Sequence, residues 1–539
     1  MRAHGVTTLF TLCGDHTNPV LDAADGAGIR LIDTRDERGA AWMAAGWALA
    51  TGEPGVVVVS NAPALQNAST ALLDAQTSGH PVVCLAGGVG LEDRGRGHPG
   101  DVDQVELAHP LAQWAARATS ADTAGALTAE AFRQARGGRP GVAVIDLPMD
   151  VQHARGDGTA VEPQPIPRIE PDPDLLSRAT RALAIAERPV IIAGGGCWWS
   201  GAGEALQTFV ERARIPVFTA RAARGLISDD HELCFGFPNL LTRAAQLAYA
   251  EADVAVVVGT KLDVMLGGGA FAPSCTLIRV DIDPSAFAVG REAQVGIVAD
   301  TRATLEALAR DAEARPTKTW IGRLREAAHA RAERIAARKD ISSSPLHPGR
   351  LVAEIAAALP HDAIVCADAG ELALWAIDAI PARAPASFHA SSASALGALG
   401  MGVPWAIGMK LARPDRPVLA LCGDGSFGFT ALEVETAARH GAPIAVVVGN
   451  DGGWGIVRHL QHALHGRPIA SDLPRSPYEL LGEFAGGVGD RVETPQQAAI
   501  AITNALAAAM PSVVNAIIDP RVEHEAIPLI ASMFEAKRG

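Results

Sequence analysis

Leu421-Cys422-Gly423-Asp424-Gly425-Ser426 and, further on, Val446-Val447-Val448-Gly449-Asn450-Asp451-Gly452-Gly453 decide how this chain is read. Each block closes an apolar run of strand length, Pro417 to Cys422 and Pro443 to Val448. Between them Ala431 to His440 reads as a helix. A strand–helix–strand unit is right-handed, so both strand ends reach one edge of a parallel sheet. Asp424 and the Asn450-Asp451 pair then face the same crevice. Gly423 and Gly425 let the backbone come close to a ligand, and the N–H groups that open the next helix favour an anion. Oxygen donors beside such a helix suit Mg²⁺ bridging a diphosphate. An ordinary turn, with Asp424 as a helix N-cap and Asn450 as a turn residue, uses the same residues. Isolated Gly-Asp-Gly turns are common, whereas paired blocks after paired strands are not.

Working outward, continuous apolar runs recur with helical stretches between them. They are Leu9 to Cys13, Gly55 to Ser60, Pro81 to Ala86, Gly141 to Leu147, Pro189 to Ala193, Ala252 to Gly259, Thr276 to Asp281, Ala363 to Ala367 and Ser512 to Ile518. A short strand also runs through Ile32 into an Ala-rich helix. Continuous rather than alternating runs belong to strands covered on both faces, so the expectation is α/β, doubly wound parallel sheets. Two connectors divide the chain. Arg155 to Asp174 is proline-rich and poor in large apolar residues, and Asp311 to Arg350 holds a charged helix near Trp320 to Arg338. The expected domains are 1–155, 175–310 and 345–535. The similar layout of the first and third suggests a duplicated fold. The opening, Met1 to Val6, reads like the end of a helix.

The 539 residues suit about three domains. They are 48% hydrophobic and 20% charged, a globular balance, and the net charge of −14 argues against a nucleic-acid partner. No apolar run approaches a membrane span and no secretory signal is visible. Seven scattered cysteines form no Cys-x-x-Cys pair. Cys13, Cys84, Cys366 and Cys422 read as small buried hydrophobes, and a reducing, cytoplasmic setting is expected.

The paired blocks resemble the thiamine-diphosphate signature. Over nearly the whole chain the sequence is similar to the superfamily of acetolactate synthase, 2-hydroxyacyl-CoA lyase and benzaldehyde lyase. That resemblance names the three domains as pyrimidine-binding, central and diphosphate-binding. It implies that Asp424, Asp451 and the carbonyl of Gly453 bind Mg²⁺, with Asn450 in place of Asp451 if the loop shifts by one. The family has Asn where Asp451 stands. Glu37, in Asp33-Thr34-Arg35-Asp36-Glu37-Arg38-Gly39, matches the glutamate that hydrogen-bonds the cofactor's pyrimidine ring. By its position alone it also reads as a first-turn Glu favoured by the helix dipole. His16, in Gly14-Asp15-His16, matches a proton-relaying imidazole of some relatives. Leu396-Gly397-Ala398-Leu399-Gly400-Met401-Gly402 resembles the glycine-rich turn whose apolar residue, here Leu399, wedges between the cofactor rings. Asp368-Ala369-Gly370-Glu371 suits the diphosphate or its neighbourhood, Ser426 suits a phosphate oxygen or a helix cap, and Trp454 suits the substrate pocket or core packing. Glu433 and Glu435 read as structural or solvated.

Val190-Ile191-Ile192-Ala193-Gly194-Gly195-Gly196 resembles the family's central domain, which binds FAD in some members, ADP in others and nothing in many. Its glycine run lacks full dinucleotide spacing, so a structural role is the default. Three departures stand on the pyrimidine side: Asp36 where His is common, Asn61-Ala62-Pro63-Ala64 for a Ser-Gly-Pro-Gly turn, and Pro99-Gly100 for a Phe-Gln pair. The expected activity is a thiamine-diphosphate-dependent carbon–carbon lyase or carboligase. The first reading is 2-hydroxyacyl-CoA cleavage to an aldehyde or ketone plus formyl-CoA. The alternatives are an acetolactate synthase-like carboligase or 2-keto acid decarboxylase, or a non-catalytic relative. The resemblance also implies a homodimer or homotetramer, with Glu37 of one chain serving the cofactor held by another.

Overall fold

The structure, a computed structural model, describes residues 1–156, 161–239, 242–314, 316–391 and 396–535. Parts of both connectors, 157–160 and 315, and the residues 392–395 before the glycine-rich turn lie outside the described residues.

Three parallel sheets follow one another along the chain. The first holds β1 (Thr8–Thr11), β2 (Arg30–Asp33), β3 (Gly55–Val59), β4 (Val82–Gly88), β5 (Trp114–Arg117) and β6 (Val142–Pro148), in the order β2-β1-β3-β4-β6-β5. The second holds β7 (Pro189–Ala193), β8 (Val217–Thr219), β9 (Val254–Val258), β10 (Thr276–Asp281) and β11 (Val295–Val298), in the order β11-β10-β9-β7-β8. The third holds β12 (Ile364–Ala367), β13 (Phe388–Ala390), β14 (Val418–Gly423), β15 (Ala445–Asn450), β16 (Val488–Val492) and β17 (Ser512–Ile517), in the order β13-β12-β14-β15-β17-β16. Counted within each unit, the first and third share one strand order, as a duplicated fold requires. Helices connect successive strands and cover the sheets, the doubly wound arrangement expected of such runs.

The apolar runs of the sequence became the interior strands. Five strands lack such a run: β5, β8, β11, β13 and β16. Each lies at a sheet edge or supplies the edge itself. Of these edge strands β5, β11 and β16 are partly wetted, whereas β8 and β13 are largely buried but only three residues long, so none shows a continuous apolar stretch of strand length. Trp114–Arg117 is half-buried throughout, and Val488–Val492 is fully buried only at its last residue. Cys13 corrects a further expectation. It is exposed just beyond β1, while the other six cysteines are buried.

The first and third units share a core. Helix Glu37–Thr51 packs along helix Gly402–Ala412, and Trp42, Met43, Trp405 and Ile407 belong to one buried cluster. This contact sets the turn that opens the first helix against the third unit. Among the described residues, no helix is long and apolar enough to cross a membrane.

Candidate functional site

The register of β14 on β15 pairs Gly423 with Gly449, so the residues that follow these strands stand side by side. Asp424 opens the short helix Asp424–Phe427 and is 1% exposed. Its Oδ2 accepts the Gly453 N–H at 3.0 Å. The carboxyl groups of Asp424 and Asp451 hydrogen-bond each other. Burial, and then the Asp451 carboxylate, push Asp424 up to about 7. Burial also raises Asp451, against the pull of Arg458, whose guanidinium pairs with it. Arg458 also stands 3.6 Å from Asp472. Two buried carboxyls thus meet with one guanidinium beside them. They need a shared proton or a cation to coexist.

These carboxyls face a cleft of about 670 Å³, counted to its open mouth. Gly370, Leu399, Gly423, Gly425, Ser426, Gly453 and Trp454 also line it. The Trp454 ring meets Phe429 edge-on, with centroids 6.1 Å apart. A Cβ on Gly425 would stand 2.7 Å from that ring, so any larger residue there must displace the indole. Ser426 donates its hydroxyl to Gly423 O at 3.2 Å. On the Asp451 side of the same cleft, the imidazole of His459 lies 2.7 Å from Glu371 Oε2 and 2.9 Å from Pro520 O. Burial lowers the pKa of His459, but Glu371 outweighs burial and raises it. An acceptor stands at each ring nitrogen, which favours the doubly protonated ring.

Four expected residues are placed otherwise. Asn450 is fully buried, donating to Ser476 O and Asn515 Oδ1, both at 3.1 Å, and accepting from Gly452 N at 3.2 Å. Its amide is used up, so of the two alternatives Asp451 is the one in the cleft. Asp368 does not line the cleft. It is buried and accepts the amides of Ala369, Gly400 and Gly402 at 2.7, 3.0 and 2.9 Å. Its carboxyl shapes the glycine-rich turn instead of meeting a phosphate, which it would repel. Burial pushes it up to about 6. Met401 is fully buried in the shared core. Gly400 gives its amide to Asp368 and its carbonyl to the Thr430 hydroxyl at 2.6 Å. Only Leu399 of that turn reaches the cleft.

Glu37 and His16 stand apart from the cleft within one chain. Glu37 begins its helix and accepts from Asn67 Nδ2 at 2.7 Å. His16 is half-buried on a turn after β1, and its carbonyl accepts from Gln152 at 2.7 Å. The sequence reading assigned no role to Arg458, His459 or Asn67. Arg458 lies on the helix Gly455–His465 that follows the Asp451 loop, and no local spacing rule marks it as the counter-charge.

Three family descriptions match in order: thiamine pyrophosphate enzyme, N-terminal TPP binding domain over residues 1–107, central domain over 176–308, and C-terminal TPP binding domain over 368–516. The chain is 37% identical to the acetolactate synthase large subunit IlvG of Mycobacterium tuberculosis, covering 97% of this chain and 95% of that one. It is 36% identical to a probable 2-ketoarginine decarboxylase of Pseudomonas aeruginosa, covering 90% and 86%. It is 30% identical to the acetolactate synthase isozyme 2 large subunit of Escherichia coli, covering 96% and 94%. With three matching domains on three parallel sheets, this chain belongs to the thiamine pyrophosphate-dependent enzymes.

Proposed function

We propose that the protein is a thiamine-diphosphate- and Mg²⁺-dependent carboligase acting on 2-keto acids, in the manner of the relatives named acetolactate synthases. The observation that carries this reading is the buried Asp424–Asp451 pair facing a cleft, on a chain that matches an acetolactate synthase subunit almost end to end. It reverses the order drawn from the sequence, where 2-hydroxyacyl-CoA cleavage came first. The relatives above carry names from keto-acid chemistry. A 2-keto acid decarboxylase is the second reading, favoured by the Pseudomonas relative.

The donor set fits the cofactor. Among the described residues no three His, Cys, Asp or Glu side chains gather as a metal site. Two carboxylates and a main-chain carbonyl, that of Gly453, would make an all-oxygen set for Mg²⁺. The amides that open helix Asp424–Phe427 would meet the diphosphate. Leu399 would hold the rings in register, and Trp454 would border the substrate. When bound, thiamine diphosphate supplies a nucleophilic carbon and an electron sink for bonds beside a carbonyl. Glu37 would hold the proton at the pyrimidine nitrogen, oriented by Asn67. Since Glu37 does not line its own chain's cleft, a second copy would bring it there. His16, on the same unit, would enter with it.

The test offers the purified holoenzyme pyruvate, other 2-keto acids and 2-hydroxyacyl-CoA thioesters. Acetolactate formed from pyruvate supports the proposal. Aldehyde without ligation product moves the assignment to a decarboxylase, and cleavage of the thioesters with no keto-acid turnover overturns it.

A further inference from the structure

The turn that leads into Glu37 is gripped from the third unit. Helix Glu433–Arg439 follows the Gly-Asp-Gly block in the chain, and its first residue reaches across to Arg35. Glu433 is 1% exposed, and its Oε1 and Oε2 accept the Arg35 main-chain N–H at 3.2 and 3.4 Å. Thr436 donates its hydroxyl to Oε2 at 2.6 Å. A Cβ on Gly39 would stand 2.4 Å from Oε1, so the carboxyl fills the space over the first turn of helix Glu37–Thr51. Arg439 donates to Asp33 Oδ2 at 2.6 Å, and His440 lies 2.9 Å from Asp33 Oδ1. Those outer pairs are partly solvated and each adds little. Glu433 is different. A carboxyl with no access to water is tolerated only where hydrogen bonds hold it, and every bond it makes aims at this turn or its own helix.

We infer that Glu433 is a positioning residue that fixes the Arg35–Gly39 turn and thereby aims Glu37. The inference rests on the reading that Glu37 acts at the pyrimidine ring. Glu433 belongs to the unit that carries Asp424, while Glu37 serves the partner's cleft. The contact therefore links the two clefts of a dimer.

The experiment compares full-length Glu433→Ala, Glu433→Gln and Glu37→Gln. Amide hydrogen exchange of the peptide spanning 33–40 is followed by mass spectrometry in the apo protein. Exchange of the bound cofactor's C2 proton and cofactor affinity are followed in the loaded protein. Glu433→Ala should speed amide exchange in the peptide and slow C2 exchange by ~10-fold or more, with affinity changed less than ~3-fold. Glu433→Gln keeps an oxygen toward Arg35 N–H and should restore both rates to within ~3-fold of wild type. If Glu433→Ala does not fold, Gly39→Ala carries the same expectation, because its methyl displaces the carboxyl. Wild-type C2 exchange in Glu433→Ala or Gly39→Ala, or equal losses in the Gln and Ala variants, overturns the inference. Wild-type C2 exchange in Glu37→Gln overturns the underlying reading instead.

Discussion

Asp451 brings an extra carboxyl to the bottom of the cleft, and Arg458 answers it. The guanidinium covers one of two carboxyls, and a proton settles the other. Burial and the Asp451 carboxylate raise Asp424 to about 7, so near pH 6 the pair shares a proton when no cation is present. On the proposed reading, Mg²⁺ would displace it on binding, and cation affinity should rise as pH climbs through about 7. Calorimetry at pH 6 in buffers of different ionisation enthalpy should show release of roughly one proton in the wild type and clearly less in Asp451→Asn. Glu433 makes a second pH prediction. Burial raises it from 4.5 to about 7. Its contribution to stability is therefore complete below pH 4.5 and is lost as pH rises through 7, a loss on the order of 3 kcal/mol. Glu433→Gln removes that titration. Thermal melts from pH 5 to pH 8 should show the variant gaining on the wild type as pH rises, and a constant difference would contradict it.

At the scale of elements, the site is two strand ends and the short helices after them. Helix Asp424–Phe427 touches the indole of Trp454 through Gly425, which leaves no room for a methyl group. Gly425→Ala should fold but push the ring aside, costing ~1–3 kcal/mol of overpacking at the cofactor wall. Tryptophan fluorescence titration should then show thiamine diphosphate bound ~10-fold more weakly, or worse. Unchanged affinity would mean the helix and the ring do not form that wall. Asp368 acts at this scale too, tying the end of β12 to the glycine-rich turn through two amides, so that Leu399 projects into the cleft.

For the whole molecule, a cleft built only from the third unit and a glutamate on the first predict activity between chains. Glu37→Gln and Asp424→Asn should each lose activity by orders of magnitude as separate proteins. Mixed under conditions that let subunits exchange, they should regain it. One cleft of each mixed dimer then carries both wild-type groups and the other neither. Activity that stays at the level of the separate variants would place Glu37 and Asp424 in one chain's own site.

Much of this was legible in the residues themselves. Continuous apolar runs such as Val446–Val448 report a strand covered on both faces, and Gly-Asp-Gly after one strand and Asn-Asp-Gly-Gly after its neighbour report the crevice between them. Local chemistry sufficed because strand burial and turn geometry act over a few adjacent residues. Edge strands escaped because their burial depends on what lies beside them. Tertiary structure alone showed that Asp451, and not Asn450, faces the cleft. Successive side chains at a strand end point opposite ways, and only the positions of Ser476 and Asn515 show which one is spent on the fold. It alone turned Asp368 inward to backbone amides and joined Glu433 to Arg35 across 398 positions of chain. Such contacts are set by how whole units pack, which no local run of residues encodes.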